Sequence, residues 1–562
     1  MISNFFILIF SYFIITLSIL GYGSLIFRII YKNNFREISI GFLGLYGIFF
    51  LICYSYLSHF FIAHSVSHNL FILIIGVISF FYNFNYYEFK IENKTFFLIF
   101  SILVFGLLIF KTHDDFPYYH FPYTYYLTQS PLIIGIGQFN HGFRTPSSLF
   151  YLNSLFYLPI IKYYSFYIPT VIIMGFVNLI ILKDIFRSIY EKKINYLFYF
   201  SLLTFIFINI FFYRFQEHGT DRTAQILIFL FFIQLFKYFE FDNKNVNFSF
   251  DLIFITLGII ISLKAFYLIY SVLLFPIAWV LFKEKKIIHL FQMLKNRIFL
   301  CFIFILITIL FINFLNTGCF IYPASITCID NLHWSIGKIE TNLMNEHYHL
   351  WSKAGKTPSF NTDDPELYLS NFNWISNWIN LYFFNKVSDL IIGLIFLLTI
   401  TIFVFFNKKR TKFIFEKKIF IIYLFIIFLL IEWFINHPAL RYGGYILISL
   451  LIFIPSSIFL SIFNNDFIQI KKKALYLIVI TLAIFTIRNV DRIYNEYKKY
   501  DYNIINNAFY KVNEDHFRID KSFKELINNY KICGKNSNLC NKKKLNQITE
   551  FDSNRYIFIR ND

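Results

Sequence analysis

A chain of 562 residues in which 57% are hydrophobic, 23% aromatic and only 15% charged is too apolar to be a set of soluble domains. The formal net charge is +18, but the positive residues stand in short segments between apolar runs, so nucleic acid is not implied as a partner. With a mean hydropathy of +0.57, the composition predicts a polytopic membrane protein.

Fourteen apolar runs have about the length needed to cross a membrane, which takes roughly 17 to 25 helical residues for a core of about 30 Å. They lie approximately at 5–27, 38–57, 69–84, 95–111, 165–182, 195–213, 223–239, 251–264, 266–282, 298–315, 388–406, 419–436, 444–463 and 474–487. Because the runs 251–264 and 474–487 are short, we expect an all-α protein with about 12–14 transmembrane helices.

Lysine and arginine concentrate in alternate loops between these runs, at residues such as Lys32, Lys193, Lys286, Lys409 and Lys472. The positive-inside rule assigns such loops to the cytoplasm. The N-terminus would then lie outside, together with the polar segments 112–164, 214–222, 316–387 and 488–562. We expect a retained first span, since residues 1–4 lack the basic start of a secretory signal. The predicted division is a transmembrane domain over 1–487 and a small extracytoplasmic region over 488–562.

The first outer segment opens on two adjacent carboxylates, Asp114 and Asp115, in the run Lys111-Thr-His-Asp-Asp-Phe-Pro-Tyr-Tyr-His120. Ionisable groups beside membrane spans are costly, which makes a functional role the default interpretation. Either Asp could instead be the N-cap of a helix whose first turn contains Pro117. The aromatic residues of 115–130 suit a helix at the membrane interface.

The cysteines agree with this topology. Cys53 and Cys301 lie in apolar runs and are expected to be small buried side chains. Two close pairs fall in segments assigned to the outside, where disulfides persist and where neither pair has further ligands for zinc. We predict disulfides between Cys319 and Cys328 and between Cys533 and Cys540.

The outer segment 316–387 contains four of the six tryptophans and is expected to fold with interfacial helices. Its acidic run is interpreted as a helix start rather than a metal site, because Asp363 and Glu366 match the cap and third-position pattern. The region 488–562 contains no catalytic motif that we can identify.

Several runs of the chain resemble one family of membrane proteins. They are Asp115-Phe-Pro-Tyr-Tyr-His120, Gly135-Ile-Gly-Gln-Phe-Asn-His-Gly-Phe-Arg144, Ser147-Ser-Leu-Phe150, Gly219-Thr-Asp221, Ser262-Leu-Lys264, Asn316-Thr-Gly-Cys-Phe-Ile-Tyr-Pro323, His333-Trp334 and Pro438-Ala-Leu-Arg-Tyr-Gly-Gly444. In this order they resemble the LIC_10190-type bacterial membrane proteins, which look like relatives of the GT-C glycosyltransferases. The chain departs from that pattern at Pro117 and at the Asp114-Asp115 doublet, where the family has a single Asp. The spacing to His120 favours Asp115 as its counterpart.

The resemblance implies a GT-C-like fold and transfer of a sugar from a lipid-phosphate carrier. This chemistry requires a carboxylate for the acceptor hydroxyl and cations for the leaving phosphate. Asp115 is the predicted base, with Asp114 as the second choice, and His120 is expected to make a polar contact in the cleft. Asp221 would orient the acceptor or share a divalent ion, although it could also be an N-cap.

The predicted phosphate ligands are Lys264 and Arg441, with Arg144 and Arg222 as weaker alternatives. Lys264 interrupts an apolar region and must either meet an anion or extend to the interface. Arg441 stands in a short outer turn, where positive charge is not expected, and arginine can hold phosphate oxygens bidentately.

The implied function is therefore glycosyl transfer at the extracytoplasmic face of the bacterial inner membrane, in envelope glycan assembly. The expected partners are membrane lipid, a polyprenyl-phosphate-type sugar donor and a glycan or lipid acceptor. No cofactor is certain, and a divalent cation stays an open alternative because the carboxylates have no known separation.

A carrier or flippase for a lipid-linked glycan is the alternative function, and a glycan polymerase or ligase is a third. Carriers are expected to hold charges near the bilayer midplane, whereas this chain holds them at its outer edge.

Overall fold

The computed structural model describes residues 4–31, 38–84, 90–215, 219–240, 246–407, 417–463, 466–500, 503–505, 508, 549–552 and 555–558. Most of these residues are helical. The α-helices are α1 Asn4–Tyr31, α2 Ile40–His59, α3 Val66–Phe84, α4 Lys90–Leu107, α5 Phe121–Gln129, α6 Ser148–Leu155, α7 Ile168–Tyr190, α8 Tyr196–Phe211, α9 Gly219–Glu240, α10 Val246–Leu263, α11 Leu274–Lys283, α12 Ile287–Leu294, α13 Arg297–Thr317, α14 Lys338–Ser352, α15 Pro365–Leu369, α16 Ile375–Trp378, α17 Ser388–Phe405, α18 Lys417–Asn436, α19 Gly444–Ser461 and α20 Phe467–Tyr500.

Shorter elements complete the chain. The π-helical segments are Phe116–His120 and Ile379–Val387, and the 3₁₀ segments are Ile136–Gln138, His141–Arg144, Tyr163–Ser165, Ala265–Leu273, Ser325–Thr327, Ser370–Phe372 and Leu440–Tyr442. Two antiparallel hairpins are present, β1 Lys356–Thr357 with β2 Phe360–Asn361, and β3 Thr549–Asp552 with β4 Arg555–Phe558. In the first hairpin Thr357 pairs with Phe360, and in the second Phe551 pairs with Tyr556.

The protein is an all-α polytopic membrane protein. Within the described ranges, ten helical segments are long and apolar enough to cross a membrane, and Tyr196–Phe211 and Ser249–Leu263 are shorter apolar helices. Each of the fourteen predicted runs overlaps a helix. Helix α20 has 34 residues and continues past residue 488, where the charge pattern had suggested the end of the membrane domain.

Helices α1, α2 and α3 pack through glycines that let their backbones approach closely. A Cβ atom on Gly47 of α2 would lie 2.0 Å from the Ile19 carbonyl oxygen of α1, and one on Gly21 of α1 would lie 1.8 Å from the Gly76 carbonyl oxygen of α3. Membrane helices commonly associate through small residues, which allow close backbone packing. In lipid the hydrophobic effect contributes little to the association of helices, so van der Waals packing matters more.

The bundle has two different ends. At one end, where α1 finishes and α10 and α13 begin, the buried Asp251 accepts hydrogen bonds from Tyr31, Tyr46 and Asn296. The other end carries the segments 108–167 and 318–374, and we call it the long-loop end. Its first segment is tied to α14 by Arg144, which donates to the Glu340 carboxylate at 2.5 Å.

The long-loop end contains a disulfide between Cys319 and Cys328. Cys533 and Cys540 lie outside the described residues.

The helical stretch 116–129 has most of its rings packed into the protein, and Phe116, Tyr123 and Tyr126 are fully buried.

The acidic run of the second long segment does begin a helix, but the cap differs from the prediction by one residue. Asp364, not Asp363, is the N-cap of α15, and its carboxylate accepts the Leu367 N–H at 2.9 Å. The reason lies in Pro365, whose fixed φ suits the first helical position, so that the cap is the residue before it.

Substitution of Gly47 by Ala should destabilise the protein by about 1–3 kcal/mol, since the new methyl group would overlap the α1 backbone, which cannot move without displacing the helix. The measurement is the thermal midpoint of the purified protein in detergent. Gly106→Ala is the matched control, because its Cβ would meet the Phe215 ring at 3.2 Å and a ring can shift. Equal midpoints for both variants would contradict the packing described here.

Candidate functional site

Asp115 stands at the N-cap position of the segment Phe116–His120, but its side chain makes no capping hydrogen bond. The carboxylate instead lies 3.4 Å from His113 Nδ1 and 3.5 Å from the Tyr119 hydroxyl, which donates to it. About a third of the side chain is exposed, while Asp114 is exposed on the surface. The Asp115 carboxylate is therefore directed toward His113 and Tyr119 and is not used as a helix cap.

His113 can support Asp115 in two ways that exclude each other. The backbone N–H of Asp115 donates to His113 Nδ1 at 3.0 Å, which requires that nitrogen to carry no proton. A contact between the same nitrogen and the Asp115 carboxylate requires a proton on Nδ1. The two contacts therefore require different positions of the ring proton.

Asp221 and Lys264 form an ion pair between the first turn of α9 and the end of α10. Both side chains are largely buried, with 14% and 27% of their surfaces exposed. The ammonium group also lies 4.9 Å from the centre of the Tyr442 ring. Lys264 thus meets an anion within the protein, and a negative charge in the first turn of α9 is favoured by the helix dipole.

Arg441 reaches the same region from the turn between α18 and α19. Its guanidinium stacks 4.2 Å from the Trp351 ring and donates to the Tyr442 hydroxyl at 3.2 Å, and its charge acts on Asp221. The turn is held by Gln225 of α9, which donates to the Arg441 carbonyl at 2.8 Å. Arg441 Nε is buried and has no hydrogen-bond partner among the described residues. The site therefore holds a cation with an unused donor.

Tyr119 and His120 connect the first loop to these charges. Tyr119 is partly buried and lies within electrostatic reach of Asp115, Asp221 and Arg441. Burial, the neighbouring His113 and the cations Lys264 and Arg441 lower the pKa of His120 to about 3, against the opposing effect of Asp221. His120 is consequently neutral near pH 7.

Gly219, the first residue of α9, allows the His120 ring to lie close to the α9 backbone. Its φ is +47°, and a Cβ atom there would lie 3.0 Å from the His120 ring. A side chain at this position would be strained in its backbone and would push against the imidazole.

A histidine pair borders the cluster on the side of α14. The rings of His349 and His437 stack 4.6 Å apart, and His349 Nδ1 lies 2.9 Å from the Asn436 carbonyl oxygen. Burial, followed by His349, Lys353 and Lys264, lowers the pKa of His437 to about 4. The pair therefore adds polar but uncharged surface beside Lys264.

We call Asp221, Lys264, Arg441 and Tyr442 the charged cluster. The structure brings three sequence-predicted residues together there, and Asp115 acts electrostatically on the same Tyr119 as Asp221, Arg441 and Tyr442 do. Arg144 is not one of the cluster residues and donates instead to the Gly137 carbonyl and to Glu340.

The Arg222 guanidinium is enclosed by aromatic rings. It lies 3.9 Å from the Tyr445 ring and 4.5 Å from the Phe212 ring, and it donates to Gln225 at 3.3 Å. Gln225 in turn donates to the Arg441 carbonyl. Arg222 therefore supports the turn at Arg441 indirectly, through Gln225.

Sequence reasoning missed the aromatic residues of the site. Tyr442 directly follows Arg441 and Tyr119 directly precedes His120, so both lay inside runs already singled out. Trp351 offered no such signal, because its contact with Arg441 joins segments far apart in the chain.

In the described part of the chain, no three His, Cys, Asp or Glu side chains are grouped so that they could hold a metal ion. Any divalent ion would have to take ligands from the substrate as well.

A family model whose description is Domain of unknown function (DUF8201) matches residues 5–448. The match includes Asp115 and the whole charged cluster, and it ends within α19. No significant match was found among curated proteins or among solved structures.

The Asp221–Lys264 pair should show strong coupling in a double-mutant cycle. Asp221→Asn or Lys264→Met alone leaves one largely buried charge without its partner, whereas the double variant removes both charges, so we expect a coupling energy of about 1.5–3 kcal/mol. Thermal or denaturant unfolding in detergent measures it.

The control cycle uses Arg187→Met and Glu191→Gln, an exposed pair 2.6 Å apart on α7. Its coupling should be only about 0.3–0.5 kcal/mol. Additive losses at Asp221 and Lys264 would show that the two residues do not depend on each other.

Proposed function

This chain belongs to the DUF8201 family, and we propose that it is an integral-membrane glycosyltransferase of GT-C-like type that uses a lipid-phosphate-linked sugar. The charged cluster is the observation that carries the proposal. It combines two cations, one of them with an unused donor, with the Asp115 carboxylate, which acts on the same Tyr119 as the cluster does. A transfer from a lipid phosphate needs these two kinds of group close together.

In the proposed reaction the acceptor hydroxyl oxygen attacks the anomeric carbon of the sugar. The bond between that carbon and the phosphate oxygen breaks, and its electron pair leaves with the lipid phosphate. The hydroxyl proton passes to the Asp115 carboxylate. Lys264 and Arg441 stabilise the negative charge that grows on the leaving phosphate.

Asp221 has a different role in this scheme from the one suggested by its sequence context. It holds the Lys264 ammonium at the cluster, and an incoming phosphate would share that cation with it. Tyr442 lies beside both cations and forms an aromatic wall next to the phosphate position. Asp221 is therefore a positioning residue that keeps Lys264 from extending toward solvent.

The long-loop end is proposed to face the extracytoplasmic side of a bacterial inner membrane, since the lysine-rich loops lie between the other ends of the spans. A polyprenyl-phosphate sugar would enter from the lipid, with its phosphate at the level of the charged cluster. Assembly of an envelope glycan is the corresponding cellular process.

Asp115→Asn should reduce transfer by about 10²–10⁴-fold, because the amide keeps the volume but cannot accept the proton. The assay is release of polyprenyl phosphate from a panel of polyprenyl-phosphate hexoses by the purified protein in nanodiscs. Folding should be unchanged, since the Asp115 side chain makes no capping hydrogen bond and the amide has nearly the same volume.

Asp114→Asn is the matched control and should keep its activity, because Asp114 is exposed on the surface. Full activity of both Asn variants would overturn the proposed mechanism. Movement of the labelled lipid across proteoliposomes without any release of polyprenyl phosphate would favour the carrier alternative instead.

Arg441→Ala should raise the KM for the lipid-phosphate donor and lower kcat, and Arg441→Lys should recover only part of the loss. The lysine keeps the charge but loses the planar fork that donates to two oxygens and stacks on Trp351. Steady-state kinetics with varied donor measure the effect. A Lys variant equal to the wild type would show that only the charge at this position matters.

A further inference from the structure

Lys353, at the C-terminal end of α14, is a buried cation without a counter-ion. The residue is only 7% exposed. Within the described ranges, its ammonium group has neither an ion-pair nor a hydrogen-bond partner. Its nearest recorded contact is with the Trp374 ring, whose centre lies 5.1 Å from Nζ. Burial lowers the pKa of Lys353, as expected for an ammonium group that no anion stabilises.

A structural role alone does not account for this cation. The helix dipole favours lysine at the C-terminus of a helix, and the face of an aromatic ring attracts an ammonium group. Each of these effects is smaller than the cost of burying an ammonium group that has no counter-ion. Lysine is accordingly almost never buried unless it is paired. The position of Lys353 therefore points to an anion that binds beside it.

His437 connects Lys353 with the charged cluster. The charges of both Lys353 and Lys264 act on the His437 ring, and that ring lies 5.7 Å from the ring of Tyr442. His437 Nδ1 is buried and has no hydrogen-bond partner among the described residues. A neutral imidazole can donate a hydrogen bond from one of its ring nitrogens. Lys353 and His437 thus offer an unpaired charge and an unused hydrogen-bonding atom near the cluster.

The aromatic residues around Lys353 indicate its level relative to the membrane. Trp374 directly precedes the candidate span Ile375–Phe405, and its ring lies 5.3 Å from that of Phe434 in the last turn of α18. Lys353 therefore lies where two spans reach the long-loop end. This is the level of lipid headgroups rather than that of the hydrocarbon core.

We propose that Lys353 and His437 form a second phosphate subsite, which holds another lipid-borne phosphate next to the one at the charged cluster. Lys264 and Arg441 would hold the phosphate that carries the sugar. The phosphate at Lys353 belongs either to the same donor, as a lipid diphosphate, or to a separate lipid that carries the acceptor. The inference rests on the proposed function for the identity of these lipids, whereas the subsite itself rests on the two unpartnered side chains.

The experiment measures the binding of two short analogues, farnesyl phosphate and farnesyl diphosphate, to the full chain purified in detergent. Isothermal titration calorimetry gives both the affinity and the number of molecules bound. A second phosphate on the donor predicts one diphosphate per protein, bound at least about tenfold more tightly than the monophosphate. A second phosphate on a separate lipid predicts two monophosphates per protein.

Lys353→Met should remove the contact with the second phosphate. It should weaken the binding of farnesyl diphosphate by roughly tenfold or more, or reduce the number of bound monophosphates from two to one. Without ligand, the variant should have a thermal midpoint at least as high as that of the wild type, because it no longer buries an unpaired ammonium group. Lys356→Met is the matched control at an exposed lysine three residues further along the chain, and it should bind both analogues like the wild type.

Three results would overturn the second subsite. They are one monophosphate per wild-type protein bound as tightly as the diphosphate, unchanged binding by Lys353→Met, and an equal loss in Lys356→Met. If the Met variant does not fold, Lys353→Gln gives the same test, since glutamine is polar but uncharged.

Arg441→Ala tests the charged cluster separately in the same assay. It should weaken the binding of both analogues, whereas Lys353→Met should leave the first monophosphate in place. Loss of binding in neither variant would count against the proposed function as well, while a loss in Arg441→Ala alone would count against the second subsite only. Failure of this inference is therefore distinguishable from failure of the proposed function.

Discussion

The ion pair between Asp221 and Lys264 is the interaction on which the long-loop end depends. A lone charge at the end of two apolar helices would have to reach water or change its protonation. Pairing lets both charges remain largely buried. Arg441 then adds a further cation next to the pair, so the cluster as a whole keeps an excess of positive charge. Under the proposed function, that excess would attract the phosphate of the donor lipid.

The sequence alone predicted the helical architecture well. A long apolar run inside a membrane must satisfy its backbone hydrogen bonds internally, and a helix does so within one segment. The close spacing of Cys319 and Cys328 likewise pointed to their disulfide. The partner of each charged residue was not predictable. Lys264 is 43 residues from Asp221, and Arg144 is 196 residues from Glu340. Such contacts follow from how the helices pack, and no local pattern encodes the pairing.

The use of an aspartate as a helix cap was also not predictable from the local sequence. Asp115 stands two residues before Pro117 and Asp364 directly before Pro365, so the local sequence allows either to be an N-cap. In the structure Asp364 accepts the Leu367 N–H, whereas the Asp115 carboxylate turns toward His113 and Tyr119. A carboxylate used as a cap has its lone pairs committed to the backbone, and one without a capping bond keeps them for another partner. The difference depends on what packs around each residue, which the local sequence does not specify.

The two ends of the bundle illustrate what distinguishes a structural charge from one that can bind a ligand. Asp251 is buried among Tyr31, Tyr46 and Asn296, three neutral donors that satisfy its oxygens, and its role is to join α1, α2, α10 and α13. Arg441 has an aromatic cover and one hydroxyl partner, but its Nε donor is unused in the described part of the chain. A buried donor without a partner costs free energy, and under the proposed function the donor phosphate would supply the missing acceptor. Among the described residues, the unpartnered Nε of Arg441 thus distinguishes the cluster at the long-loop end from the satisfied carboxylate of Asp251.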